Sequence, residues 1–178
     1  MKWLRKMFGG QDDMAALKAG AKAPDFTLST LDGKPFSLAQ KLSEGPVVLA
    51  FFKVSCPVCQ YAFPFLERLH KAYGDRGVKV IGVSQDNKSN TAAFIKQFGI
   101  TFPVLLDPAD SFTVSNNYGL TNVPTVFWIN TDSEIETSSV GWIKVDFEQI
   151  NRMMAEHLHA TPSAVFQPGE DVRDFRSG

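Results

Sequence analysis

Two cysteines stand two residues apart in Cys56-Pro57-Val58-Cys59, and the chain has no others. A pair so close closes only a tiny loop, so as a disulfide it would stabilise the fold little. The spacing suits a redox couple at the start of a helix, where one thiol attacks and the other resolves. Behind the pair runs the apolar stretch Val47-Val48-Leu49-Ala50-Phe51-Phe52. Half a zinc site is the competing use of such a spacing, and zinc would need two further ligands. The histidines are His70, His157 and His159, and the last two point to different sides of any helix that carries them. No metal or other cofactor is expected.

The elements that must hold the pair can be read around it. Phe26–Leu28 and Leu31–Ser37 read as short strands about the Asp32-Gly33 turn. Residues 47–52 form an unbroken apolar strand, as in a sheet covered on both faces. A helix is expected from Pro57 to Tyr73, with Pro57 in its first turn, Tyr61, Phe65 and Leu69 on one stripe and Gly74 ending it. Val78–Val83 and Phe102–Leu106 are further buried strands. Between them Asn90 is expected to cap a helix with Ala93, Phe94 and Phe98 inward, stopped by Gly99. A short helix from Asp110 or Ser111 reaches Tyr118. Thr125–Ile129 and Glu134–Val140 read as a hairpin. Asp146 is expected to cap a last helix, with Gln149 completing a capping box and Phe147, Ile150, Met154 and Leu158 inward. Alternating strands and helices, closed by a hairpin, give an α/β sandwich with a mixed sheet.

Composition narrows the function. With 178 residues, 44% of them hydrophobic and 21% charged, the chain can bury a core without cross-links. Eighteen basic and 19 acidic side chains leave a net charge of -1, and no basic cluster forms a nucleic-acid surface. No apolar run is long enough to cross a bilayer. The start is basic, but Gly9-Gly10-Gln11-Asp12-Asp13 follows where a signal peptide would need an apolar stretch, so a cytoplasmic location is expected. Residues 1–20 read as an extension, with Trp3, Leu4, Met7 and Phe8 at helical spacing. Residues 21–159 read as the domain and residues 160–178 as an extended tail.

On these residues the chain resembles the thioredoxin superfamily, and most closely its thioredoxin-like thiol–disulfide reductases, which border on the peroxiredoxins. Ala23-Pro24-Asp25-Phe26 with Asp32-Gly33 matches the opening hairpin. Phe51–Cys59 matches the strand-to-helix active site. Pro64 matches the proline that kinks the active-site helix, and Val123-Pro124-Thr125 matches the loop whose proline is cis. The resemblance implies a three-layer thioredoxin fold, a mixed central sheet flanked by helices with an N-terminal β-hairpin extension. It implies Cys56 as nucleophile and Cys59 as resolving thiol. It places Ser55, Pro57, Val58, Val123, Pro124 and Trp142 beside the substrate. The implied partners are a disulfide-containing protein or small thiol substrate and an upstream electron donor.

The chain departs from that pattern in places. Ser55 stands where thioredoxins carry a tryptophan, and Ala50 where they carry a buried acid. Ala62 stands where the reductases carry a glutamate. No carboxylate is therefore expected beside Cys59; Glu44 and Glu67 read as surface charges and Lys53 as a solvated one. A peroxidase using the same cysteines is the first alternative. Lys53, however, occupies the position of the hydroxyl that orients peroxide in that family. A non-catalytic redox-sensing or binding module is the second alternative.

Overall fold

The computed structural model describes residues 15–178; the helical pattern of Trp3, Leu4, Met7 and Phe8 lies outside them. Strands β1 (Thr27–Thr30) and β2 (Pro35–Ser37) form the expected hairpin, with Gly33 at φ +81° in its turn. Helix α1 (Leu38–Glu44) follows, then β3 (Val47–Phe52), α2 (Pro57–Tyr73), β4 (Lys79–Ser84), α3 (Lys88–Phe98), β5 (Val104–Leu106) and α4 (Thr113–Asn117). Strands β6 (Thr125–Ile129), β7 (Ile135–Val140) and β8 (Trp142–Ile143), helix α5 (Lys144–His157) and β9 (Phe175–Arg176) complete the order. Seven strands make one sheet in the order β2-β1-β5-β4-β3-β6-β7.

Strand β3 lies inside the sheet, parallel to β4 on one side and antiparallel to β6 on the other. Its side chains alternate between two cores. Val48, Ala50 and Phe52 face α2, α3 and α5, while Val47, Leu49 and Phe51 face α1, α4 and the hairpin. All six are buried, which is why the segment reads as continuous rather than alternating hydrophobicity. Helices thus cover both faces of a mixed sheet, the three-layer arrangement expected from the sequence.

Three expected boundaries differ for local reasons. The cap of α3 is Asn87, whose side chain accepts the Asn90 N–H at 2.8 Å, so Asn90 is the capped residue. Helix α2 ends at Tyr73 with Gly74 as its cap, as expected, and Gly74 then opens a short 3-10 turn closed by the left-handed Gly77, at φ +100°. Helix α4 begins at Thr113 because Phe112 adopts a left-handed conformation, and Asp107 caps the helix from the preceding loop. The Asp107 carboxylate accepts the Ser115 N–H and Oγ–H at 2.7 Å each. Helix α5 starts directly from β8, so Asp146 lies inside its first turn rather than at its cap.

Residues 160–178 run back across α2 and α5. Asn151 Nδ2 donates to the Ser163 carbonyl at 2.8 Å, and Val165 is buried. Arg68 on α2 forms a two-pronged ion pair with Glu170, both bonds at 2.8 Å, and also donates to the Val165 carbonyl. That guanidinium holds the Glu170 carboxyl down at about 2. A depressed carboxyl contributes stability above the ordinary glutamate value and loses it as pH falls toward the depressed one. The clasp's contribution to stability should therefore be whole above about pH 4 and lost between there and about pH 2, where the carboxyl itself protonates. Carbon NMR of the Glu170 carboxyl should give that low midpoint, returning to the ordinary glutamate range in Arg68→Leu. A wild-type midpoint already in the ordinary range would show that the clasp does not form.

Candidate active site

Pairing of Phe51 with Thr125 sets the end of β3 level with the start of β6. The loop after β3 and the loop before β6 therefore meet. The first carries Cys56, and the second carries the Val123–Pro124 bond, which is cis. Two side chains fix the loop after β3. Asp86 accepts the Val54 N–H at 2.8 Å, and Gln60 Nε2 donates to the Val54 carbonyl at 2.9 Å.

Cys56 is the N-cap residue of α2. Its sulfur accepts the Cys59 N–H at 3.2 Å and donates to the Val123 carbonyl at 3.3 Å. An unpaired amide of the first helical turn thus points at the sulfur, as helix starts allow. Cys56 is half-buried, whereas Cys59 is fully buried, and both are free thiols. Burial pushes the Cys59 thiol far above the usual cysteine range, and its hydrogen bond with Cys56 pushes the same way. Ala50 and Ala62 are wholly enclosed nearby, so no carboxylate enters from either position.

An open cavity of about 470 Å³ lies against the Cys56 sulfur, lined among others by Lys53, Gln85, Asn122 and Val123. Of the residues expected beside substrate, Ser55 and Pro57 are exposed next to Cys56, and half-buried Val123 lines the cavity. Pro124 is buried beneath the loop. Two expectations are corrected. Val58 is 8% exposed and packs into the core on the inner side of α2. Trp142 is fully buried, stacked among Tyr61, Phe65 and Phe147, with its indole N–H donating to the Arg173 carbonyl at 2.6 Å. Neither side chain offers a surface to substrate. Glu67 is also corrected. It is 5% exposed and accepts the Thr101 N–H at 2.9 Å, joining α2 to the loop before β5.

The polar residues Gln85 and Asn122 carried no sequence signal, because the loops that bring them to Cys56 lie 29 and 66 positions from it in number alone. Lys53 does reach the cavity, with its ammonium 5.8 Å from the Phe112 ring centre, and remains exposed as expected.

The AhpC/TSA family model matches residues 19–138, which include both cysteines and the cis-proline loop. The chain belongs to this family. It is also 32% identical over 139 residues to the thiol-disulfide oxidoreductase ResA of Geobacillus thermodenitrificans, covering 77% of this chain and 78% of that one. A thiol:disulfide interchange protein of the thioredoxin family from Chlorobium tepidum superposes with a TM-score of 0.64 at 30% identity, over 79% of this chain and 99% of that one. The peroxidoxin BcpB from Mycobacterium tuberculosis superposes at 0.65 with 25% identity, over 83% and 99%. The fold is therefore the thioredoxin fold, and this member of the AhpC/TSA family is a thiol–disulfide oxidoreductase. Among the described residues, no helix is long and apolar enough to cross a membrane.

Proposed function

We propose that the protein reduces disulfides through a Cys56–Cys59 redox couple, with Cys56 as nucleophile. The observation that carries this reading is the asymmetry of the pair. Cys56 opens onto the cavity at the helix start, and Cys59 is sealed one turn behind it. The Cys56 thiolate attacks one sulfur of a substrate disulfide, forming a mixed disulfide and releasing one substrate thiol. Cys59 then gives up its proton and attacks the Cys56 sulfur. The second substrate thiol leaves, and the Cys56–Cys59 disulfide remains. Two electrons pass from the pair to the substrate, and two protons end on the substrate thiols. A dithiol donor of lower potential must restore the pair. In a reducing compartment, such as the cytoplasm expected from the sequence, the resting form is the dithiol; an oxidising compartment would require a dedicated donor.

A thiol peroxidase is the second reading, favoured by the family and by the likeness to the peroxidoxin. Against it, Lys53 stands three positions before Cys56, where the peroxide-orienting hydroxyl would be, and the other polar side chains lining the cavity are Gln85, Ser115, Asn116, Thr121 and Asn122. Gln85 is already committed to Ser115 at 2.9 Å. The Ser115 hydroxyl is bound in turn to Asp107 at 2.7 Å, and no hydroxyl stands at position 53, where orientation of a peroxide would supply much of the rate. Parallel assays test the choice. The reduced protein should consume glutathione disulfide or insulin disulfides catalytically and react with hydrogen peroxide no faster than a free thiol of equal thiolate fraction. Rapid peroxide consumption without disulfide reduction would reverse the ranking.

A further inference from the structure

The edge beside Cys56 is occupied by the chain's own backbone. Strand β8 pairs antiparallel with β9, Trp142 opposite Arg176 and Ile143 opposite Phe175. The ladder extends through the Lys144 N–H, which donates to the Asp174 carbonyl at 2.9 Å. Beyond β9 the chain passes Gly141 and reaches the cis-proline loop. A Cβ on Gly141 would stand 2.7 Å from the Arg176 carbonyl oxygen, and one on Gly178 would stand 2.5 Å from that of Val123. Asn122 Nδ2 donates to the Gly178 carbonyl at 3.0 Å. The Val123 carbonyl is the same group that receives the Cys56 thiol proton. Residues 174–178, with β9 at their middle, therefore lie along a slot that ends at the Val123 carbonyl beside the nucleophile, where no side chain fits at 141 or 178.

The hold on this strand is uneven. Up to Arg173 the segment is anchored by Arg68–Glu170, by buried Val165 and by the Trp142 indole. From 174 onward the contacts are main-chain hydrogen bonds, the Asn122 bond and Arg176 stacked 4.8 Å from the Tyr61 ring. Phe175 is 62% exposed, so its ring adds little burial. A strand seated mainly by backbone bonds on a sheet edge can be exchanged for another strand, because those bonds carry no side-chain identity.

We propose that residues 174–178 are a displaceable self-strand on the edge where an extended, disulfide-bearing polypeptide docks, so that the preferred substrate is a polypeptide strand that competes with them. This rests on Cys56 being the attacking thiol. A small disulfide needs only the cavity at the sulfur and enters with the strand in place.

The test compares three full-domain proteins: wild type, a form ending at Arg173, which keeps every anchor, and Gly178→Val, whose side chain cannot share the slot with the Val123 carbonyl. Each is assayed on insulin and on glutathione disulfide. Both variants should reduce insulin about tenfold faster than wild type, the factor expected if the edge is free roughly a tenth of the time. Their rates on glutathione disulfide should change by far less. Unchanged or slower insulin reduction in both variants, with glutathione disulfide still turned over, would overturn the self-strand and leave the Cys56 chemistry standing. Failure of wild type on both disulfides would overturn that chemistry and this proposal with it.

Discussion

Cys56→Ser should lose disulfide reduction by on the order of a thousandfold or more, as removal of a covalent nucleophile does. Cys59→Ser should lose turnover as well but keep the first step, and so accumulate a mixed disulfide between Cys56 and its substrate. The difference follows from position. Cys56 faces the cavity and can meet a substrate sulfur, whereas Cys59 has no exposed surface and can meet only Cys56. In wild type the second step needs the Cys59 thiolate, which burial disfavours. Where that step limits, turnover should climb with pH by about tenfold per unit through the neutral range, because the thiolate fraction does so below the pKa. Non-reducing gels and intact mass of the Cys59→Ser protein after incubation with an oxidised peptide check the trapping. Adducts on Cys59 in the Cys56→Ser protein instead would invert the assignment.

Trp142→Ala should destabilise the protein by about 3–5 kcal/mol, the usual cost of truncating a fully buried aromatic. The indole stacks on Phe147 at 4.4 Å and Phe65 at 4.8 Å between ring centres, and it meets Tyr61 edge-on at 5.1 Å. Its N–H also holds the Arg173 carbonyl, so truncation both opens a cavity and frees the segment that lies over α2. For a domain of this size the loss corresponds to roughly 6–20 °C in Tm. Trp142→Phe should retain most of the packing and cost less. Urea unfolding of the three proteins is the measurement. A loss under about 1 kcal/mol in Trp142→Ala, coupled to a raised KM, would return the residue to the substrate surface.

Much of the architecture follows from short-range pattern. Six apolar residues before a CxxC suffice to place a central strand against a helix start, and the Asp32-Gly33 turn suffices for the hairpin. The start of α1 is also written in the sequence: Ser37 accepts the Gln40 N–H at 3.3 Å, and Ser-x-x-Gln is the sequence form of a capping box. Glu67 reads as a surface charge because its partner Thr101 is 34 positions away. Residues 160–178 carry too few apolar side chains to announce packing. Their seat consists of main-chain bonds and of partners such as Arg68 and Tyr61, about a hundred positions distant. Trp142 likewise follows a glycine in an exposed-looking context, and its cover comes from distant side chains of α2 and from the returning segment as well as from α5. Local periodicity records which faces are apolar; it does not record which distant backbone will lie on them.

The central claim is that Cys56 and Cys59 form one reversible two-electron couple. Equilibrating the protein across a series of glutathione redox buffers, followed by acid quench, alkylation and intact mass measurement, tests it most directly. A single transition is predicted between a doubly alkylated form and an unalkylated form lighter by two hydrogens than the dithiol. Persistent alkylation of Cys59 across the whole series, or accumulation of a stable glutathione adduct on Cys56 in place of the internal disulfide, would contradict the account.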